Sequence, residues 1–181
     1  MNAQKYTQKS LEAIQAAQQL TIENQNQQIE QVHLLSALLQ QDGGLVPQLL
    51  KKMGISVESL DAAVTAEVNK LPRVTGSGRE ADRFYVSRQV DEALTKSEEL
   101  AKGMKDDFVS VEHLLLALID CADNTLKNLL RTYNIKKEDV LQTLQTIRGN
   151  QRVTNDTPED PYEALEKYGT DLVKRAREQK M

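Results

Sequence analysis

An internal repeat constrains this chain more than any other feature. Sliding the 181-residue sequence by 80 positions aligns Thr7–Leu60 with Ser87–Val140 without a gap. The centre of the match is His33-Leu34-Leu35-Ser36-Ala37-Leu38-Leu39 against His113-Leu114-Leu115-Leu116-Ala117-Leu118-Ile119. Outside it, Glu12/Glu92, Ala13/Ala93, Leu20/Leu100, Leu49/Leu129, Leu50/Leu130, Ile55/Ile135 and Glu58/Glu138 are identical. Most shared positions are apolar, so what recurs is a packing pattern, the mark of a duplicated supersecondary unit.

Each copy spaces its apolar residues as four short helices. In the first copy the spacing predicts helices over about 7–25 and 32–41, then one starting near Pro47 and stopping at Gly54, and one capped by Ser56 and carrying Val57, Leu60, Val64 and Val68. Proline is tolerated in a first turn, where its missing N–H has no partner to lose. The mate of Gly54 is Asn134; these two residue types best tolerate the left-handed conformation that ends a helix. The second copy predicts helices near 87–102, 111–120, 125–133 and 136–147. The helices holding His33 and His113 are apolar on nearly all sides and should pack against each other in one pseudo-twofold core, because a unit of about 60 residues buries little surface alone.

The expected fold is therefore all-α: two four-helix units, 6–70 and 86–148, forming a single domain over 1–148. Leu71 to Arg79 reads as a surface loop. Residues 149–161 are polar, hold two prolines and set Arg152 against Asp156, Glu159 and Asp160, the composition of a flexible linker. An amphipathic C-terminal helix over 162–181 follows, with Leu165, Tyr168, Leu172 and Val173 on one face. Gly169 costs it about 1 kcal/mol relative to Ala, and a lone helix of this length is marginal. It is expected to belong to a further folded unit beyond this chain.

Composition excludes several function classes. A net charge of −4 gives no general attraction to nucleic acid or anionic lipid. No apolar run approaches the roughly 20 residues of a membrane span, and the first residues lack a signal-peptide core. The single Cys121 cannot form an internal disulfide, which fits a cytoplasmic location. His33 and His113 could share a metal, but no Cys or carboxylate joins them at a ligand spacing, and each sits in a first helical turn where a local hydrogen bond is the simpler role. Cys121 follows Asp120 at a helix end, where the dipole disfavours a thiolate. Neither G-x-x-x-x-G-K-[ST] nor G-x-S-x-G occurs. No catalytic residue, metal ligand or cofactor site is expected in this chain.

A binding surface is expected instead. Lys105-Asp106-Asp107-Phe108-Val109-Ser110-Val111-Glu112 places a charged loop before an apolar helix, whereas its counterpart, Gln25 to Val32, is uncharged except for Glu30. Where the repeat core matches and one loop differs, the difference is either drift or a shallow apolar groove rimmed by carboxylates, suited to extended peptide with Lys, Arg or apolar side chains.

The tandem H-L-L-x-A-L cores, His33–Leu38 and His113–Leu118, resemble the Clp N-terminal domain. Four segments resemble its ClpB branch, the AAA+ protein disaggregases: Tyr6-Thr7-Gln8-Lys9; Ile29-Glu30-Gln31-Val32-His33-Leu34; Leu71-Pro72-Arg73-Val74 followed by Gly76; and Tyr162 to Leu172, which is similar to the lead into the first ATPase domain. The resemblance implies a mobile domain that engages unfolded or aggregated polypeptide for a homohexameric threading motor assisted by the DnaK chaperone system. ATP and Mg would be bound in downstream domains, and this chain by itself would be monomeric, bind neither nucleic acid nor membrane and hydrolyse no ATP. Carried over by alignment, the substrate contacts are Thr7, Asp106 and Glu112, with Leu94 on the groove floor. A Leu94→Glu change is then expected to weaken binding to an unfolded protein while leaving helicity and melting temperature nearly unchanged. Two alternatives stay open: a structural domain that docks on the ATPase ring, and a ClpC-type adaptor-binding domain. ClpC-type repeats carry Glu before each His, where this chain has Val32-His33 and Glu112-His113.

Overall fold

A hydroxyl group opens the first helix of each copy. Thr7 caps α1 (Gln8–Glu23) by accepting from the Ser10 N–H, and its mate Ser87 caps α5 (Arg88–Gly103) by accepting from Val90. Each satisfies one of the backbone donors that a helix start leaves unpaired. The computed structural model describes residues 3–74, 85–149 and 153. Over these the chain is all-α as expected, with α2 (Gln31–Leu39), α3 (Leu45–Lys52) and α4 (Val57–Lys70) completing the first copy. In the second copy α6 (Val111–Asp120), α7 (Asn124–Thr132) and α8 (Lys137–Arg148) follow in the same order. The third helix begins at Leu45 rather than near Pro47, which leaves the proline still inside the first turn. The stretch expected as a linker lies outside the described residues except for Gly149 and Val153; the helix over 162–181 and residues 75–79 of the connector lie wholly outside them.

Matched turns end the matched helices. Gly54 and Asn134 adopt φ of 81° and 55°, the left-handed role anticipated for them. Gln25 and Lys105 do the same at 57° and 60° after α1 and α5. There Gln25 N–H bonds to Ile22 O and Asn26 N–H to Thr21 O, while Lys105 bonds to Lys102 O and Asp106 to Ala101 O. This is the Schellman closure, made here by two residues that pay a local strain that glycine would avoid.

Every residue of α2 is buried, as are Val111 to Leu118 of α6, and the two helices pack together at the centre. The copies are also interlocked in a way no helical period announces. Tyr6 pairs in parallel with Val109, and β2 (Tyr85–Val86) pairs in parallel with β1 (Gln28–Ile29), in the register Gln28 to Tyr85 and Ile29 to Val86. Tyr6 is the mate of Val86 and Val109 of Ile29, so each copy lays its leading segment beside the loop of the other. In the same sense α3 packs on α6 and α8, while α7 packs on α4 and α2. One core results, continuous from Tyr6 to Leu144.

Candidate functional site

The two histidines close helix N-termini. His33 is the third residue of α2 and its Nδ1 accepts the Glu30 N–H at 2.8 Å; His113 takes the same place in α6 and accepts from Ser110 at 2.9 Å. Each fills the position where Glu or Gln usually completes a capping box. With Nδ1 accepting, the ring proton lies on Nε2, which donates to Asn26 Oδ1 in one copy and to Asp106 Oδ2 in the other, both at 2.8 Å. Both rings are fully buried. Among the described residues no group of three or more His, Cys, Asp or Glu is placed to hold a metal ion. Cys121 ends α6, its thiol pushed up by burial and by the Asp120 charge, which disfavours the nucleophilic form.

Beyond the histidines the copies diverge. Around His33 the partners are amides: Asn24 Nδ2 donates to Asn26 Oδ1 at 2.8 Å, and Asn26 Nδ2 donates to Pro72 O at 3.1 Å. Burial alone pushes His33 down to about 4. Around His113 the partners are charged. Arg148 donates from Nη2 to Asp106 Oδ1 at 2.7 Å and from Nη1 to Glu112 Oε1 at 3.4 Å, and Val153 N–H donates to Asp106 Oδ1 at 2.9 Å. Burial would raise the Asp106 pKa, but hydrogen bonds from His113, Arg148 and Val153 and the guanidinium charge outweigh it and hold the carboxyl at about 2. Glu112 Oε1 also accepts from Ser110 Oγ, while Glu112 Oε2 is buried without a partner. The 80-residue mates of Glu112 and Arg148 are Val32 and Val68, both buried. A buried ion pair in one copy thus stands where the other has two valines.

Beside the charged network lies an open recess of about 510 Å³ between Lys5, one face of α5 and the 105–109 loop. Lys5 and Lys102 oppose Glu98, Glu99 and Asp107 in sign, and half-buried Phe108 adds apolar surface. The loop is held from several directions. Val109 N–H bonds to Lys5 O at 2.7 Å, Thr7 N–H to Val109 O at 2.9 Å and Asp107 N–H to Val153 O at 2.7 Å.

The structure brings three of the four expected contact residues together around this loop and sets the fourth inside the core. Asp106 lines the recess, with its carboxylate turned inward onto His113, Arg148 and Val153. Thr7 is fully buried; its hydroxyl donates to Ser10 Oγ, which donates in turn to Val109 O. Glu112 is fully buried on Arg148 and Ser110. Leu94 is only 7% exposed and belongs to the core, so a glutamate there would bury a charge and unfold the domain instead of leaving its stability unchanged.

Residues 5–157 match the Clp repeat (R) N-terminal domain family. The chain is 37% identical over 182 residues to the chaperone protein ClpB of Clostridium perfringens, covering 100% of this chain and 21% of that protein. It is 41% identical over 173 residues to ClpB of Bacillus anthracis, covering 96% and 20%. The chain belongs to the Clp N-terminal domain family, on its ClpB side. It spans about a fifth of the length of these curated relatives. Solved Clp N-domains share its fold. The Hsp104 N-terminal domain from Candida albicans superposes with a TM-score of 0.74 at 22% identity, covering 86% of this chain and 99% of that one. A ClpV N-domain in complex with a VipB peptide superposes at 0.61 and 20% identity, covering 81% and 89%.

Within this Clp N-domain, sequence reasoning missed Thr95, Glu98, Glu99 and Lys102 as recess residues, because on a helix surface they read as ordinary solvated positions, and Lys5, because it precedes the first α-helix. Arg148 was missed because a basic residue in a last helical turn already has a local role on the helix dipole. A signal for it did exist: under the offset, Val32 and Val68 become Glu112 and Arg148, two opposite charges entering core-facing positions together.

Proposed function

We propose that this Clp N-domain engages segments of unfolded or aggregated polypeptide in the recess between Lys5, α5 and the 105–109 loop, for a ClpB-type disaggregase. The observation that carries the reading is the recess itself, open to solvent, rimmed by both charge signs and floored in part by Phe108 and Val109. The likeness to ClpB over the whole chain supports it, and so does the ClpV N-domain solved with a peptide. In the assembled protein, ATP and Mg bound to downstream domains would drive a homohexamer in the cytoplasm, with the DnaK system as a partner.

In this reading Asp106, Thr7 and Glu112 act as positioning residues that fix the loop, and Leu94 anchors α5 to the core. A shallow open site suits weak capture: a micromolar Kd is about −8 kcal/mol, and linked copies on one hexamer would recover avidity through effective concentration. Weak capture also allows release to a threading motor.

Titration of the isotope-labelled chain with casein tests the reading. Shifts should centre on Phe108, Asp107 and Lys102, and Phe108→Ser should weaken binding about tenfold while leaving helicity intact. Casein binding that leaves these signals unmoved would exclude the recess. Absence of binding, with altered ATPase on deleting the domain from a full-length relative, would favour docking on the ring.

A further inference from the structure

The face of the first copy that corresponds to the recess is uncharged at the matching positions. The six ionisable residues lining the recess, Lys5, Glu98, Glu99, Lys102, Asp106 and Asp107, correspond under the 80-residue offset to Tyr85, Gln18, Gln19, Ile22, Asn26 and Gln27. None of these is charged, in a chain where 28% of residues are. The backbone frame is nevertheless the same. The turns after α1 and α5 share their hydrogen bonds and their left-handed residue, and the pairing of Tyr85–Val86 with Gln28–Ile29 repeats that of Tyr6 with Val109. A folding requirement therefore does not account for the difference in charge.

The neutral face also carries exposed apolar surface. Four large apolar side chains lie exposed among the described residues; Tyr85 at 53% and Ile22 at 36% are on this face, and Val86 at 43% is next to Tyr85 in β2. Tyr6, the mate of Val86, is 2% exposed. Exposed aromatic and aliphatic anchors among side-chain amides make an interaction surface, since the amides both donate and accept.

We propose that this face is a second docking surface, for uncharged extended polypeptide segments rich in amide and apolar side chains. Tyr85 and Ile22 supply the apolar contacts, and Gln18, Gln19 and Gln27 meet backbone or side-chain amides. At the edge of this face Gln19 Nε2 donates to Glu23 Oε1 at 3.2 Å; the positions matching the recess lining supply no cation, so an acidic segment would be desolvated there without a partner and is turned away. The recess, with both signs on its rim, takes the segments this face rejects.

The test uses the 181-residue chain and fluorescence anisotropy with two labelled peptides of equal length. One is built only from Gln, Asn, Leu and Tyr; in the other, Lys and Glu replace the Gln and Asn. The double variant Ile22→Lys/Tyr85→Lys installs the recess's own residues on the neutral face at exposed positions, with helicity and melting as controls. It should weaken the neutral peptide about tenfold and leave the charged peptide's affinity unchanged. Unchanged affinity for the neutral peptide, or equal loss of both peptides, overturns the proposal. So does a concentration-dependent dimer that Tyr85→Lys abolishes, which would assign the face to a second copy of this chain. Phe108→Ser reads the recess separately, so failure of the charged peptide to bind leaves the neutral-peptide result standing.

Discussion

Around His33 the chain sets amides and two valines; around His113, at the same places in the same fold, it sets two carboxylates and an arginine. The packing frame accepts either solution, so the charged one is not what makes the domain fold. Its distinctive effect is directional. Arg148 at the end of α8, Val153 beyond it and Asp106 in the recess loop are joined by specific hydrogen bonds, so the segment leaving the domain is fastened to the loop that lines the recess. In the first copy the chain leaving α4 meets the equivalent loop through Val74 N–H to Gln25 O at 2.7 Å and Arg73 Nη2 to Asn24 Oδ1 at 3.0 Å, with no buried ion pair there among the described residues.

Breaking the charged copy should have the largest effect. Arg148→Ala strands two buried carboxylates and should cost about 3–5 kcal/mol in urea unfolding. Transplanting the first copy's solution, Glu112→Val with Arg148→Val and Asp106→Asn, should recover most of that loss, since replacing a buried pair by apolar groups is often neutral. If the triple variant is as unstable as Arg148→Ala, the two copies are not interchangeable.

Acid separates the copies in a second way. His33 titrates near 6.5 when unfolded and at about 4 when folded, so between these values the unfolded chain binds more protons. Stability should fall as pH drops from 6.5 and level off below 4, a loss on the order of 3 kcal/mol. Asp106 moves from 3.8 to about 2, so its contribution is present above 3.8 and is lost as pH falls toward 2, on the order of 2 kcal/mol. Denaturant unfolding at a series of pH values should therefore show the first copy's window before the second's. Asn26→Asp, which gives His33 the partner that His113 has, should raise the His33 pKa by NMR titration and flatten the loss above pH 4.

The smallest contrast is at the helix ends. Gly54→Ala should cost about 1 kcal/mol through its positive φ alone, because nothing lies within 4 Å of the added methyl. The mate change Asn134→Gly should alter stability by only a few tenths of a kcal/mol in thermal unfolding. Equal and large effects at both sites would show that side-chain packing governs the turn.

Much of the fold was legible before any coordinates. The helices around Leu34 and Leu114 were marked by continuous apolar character, their partners by period, and the turns at Gly54 and Asn134 by residue type. The turns at Gln25 and Lys105 were not, because neither residue advertises a left-handed conformation. At the site, the contrast between the 105–112 loop and its mate was visible, but the part each residue plays was not. Asp106 and Glu112 looked like rim carboxylates because acidic residues in loops are usually solvated; here Arg148 and the capping groups make their burial possible.

Residue order alone encodes the two copies, the helices in each, the faces they bury and several of their caps. Those properties depend on residues a few positions apart, where periodicity and cap chemistry act. The exchange of leading segments between the copies, the buried charge cluster that holds one recess loop and the docking of Val153 against it emerge only in three dimensions. The contacts responsible span long separations, 36 residues from Glu112 to Arg148 and 99 from Ser10 to Val109. Whether a charge can be buried at such a junction depends on the partners brought to it through space, and no local pattern encodes them.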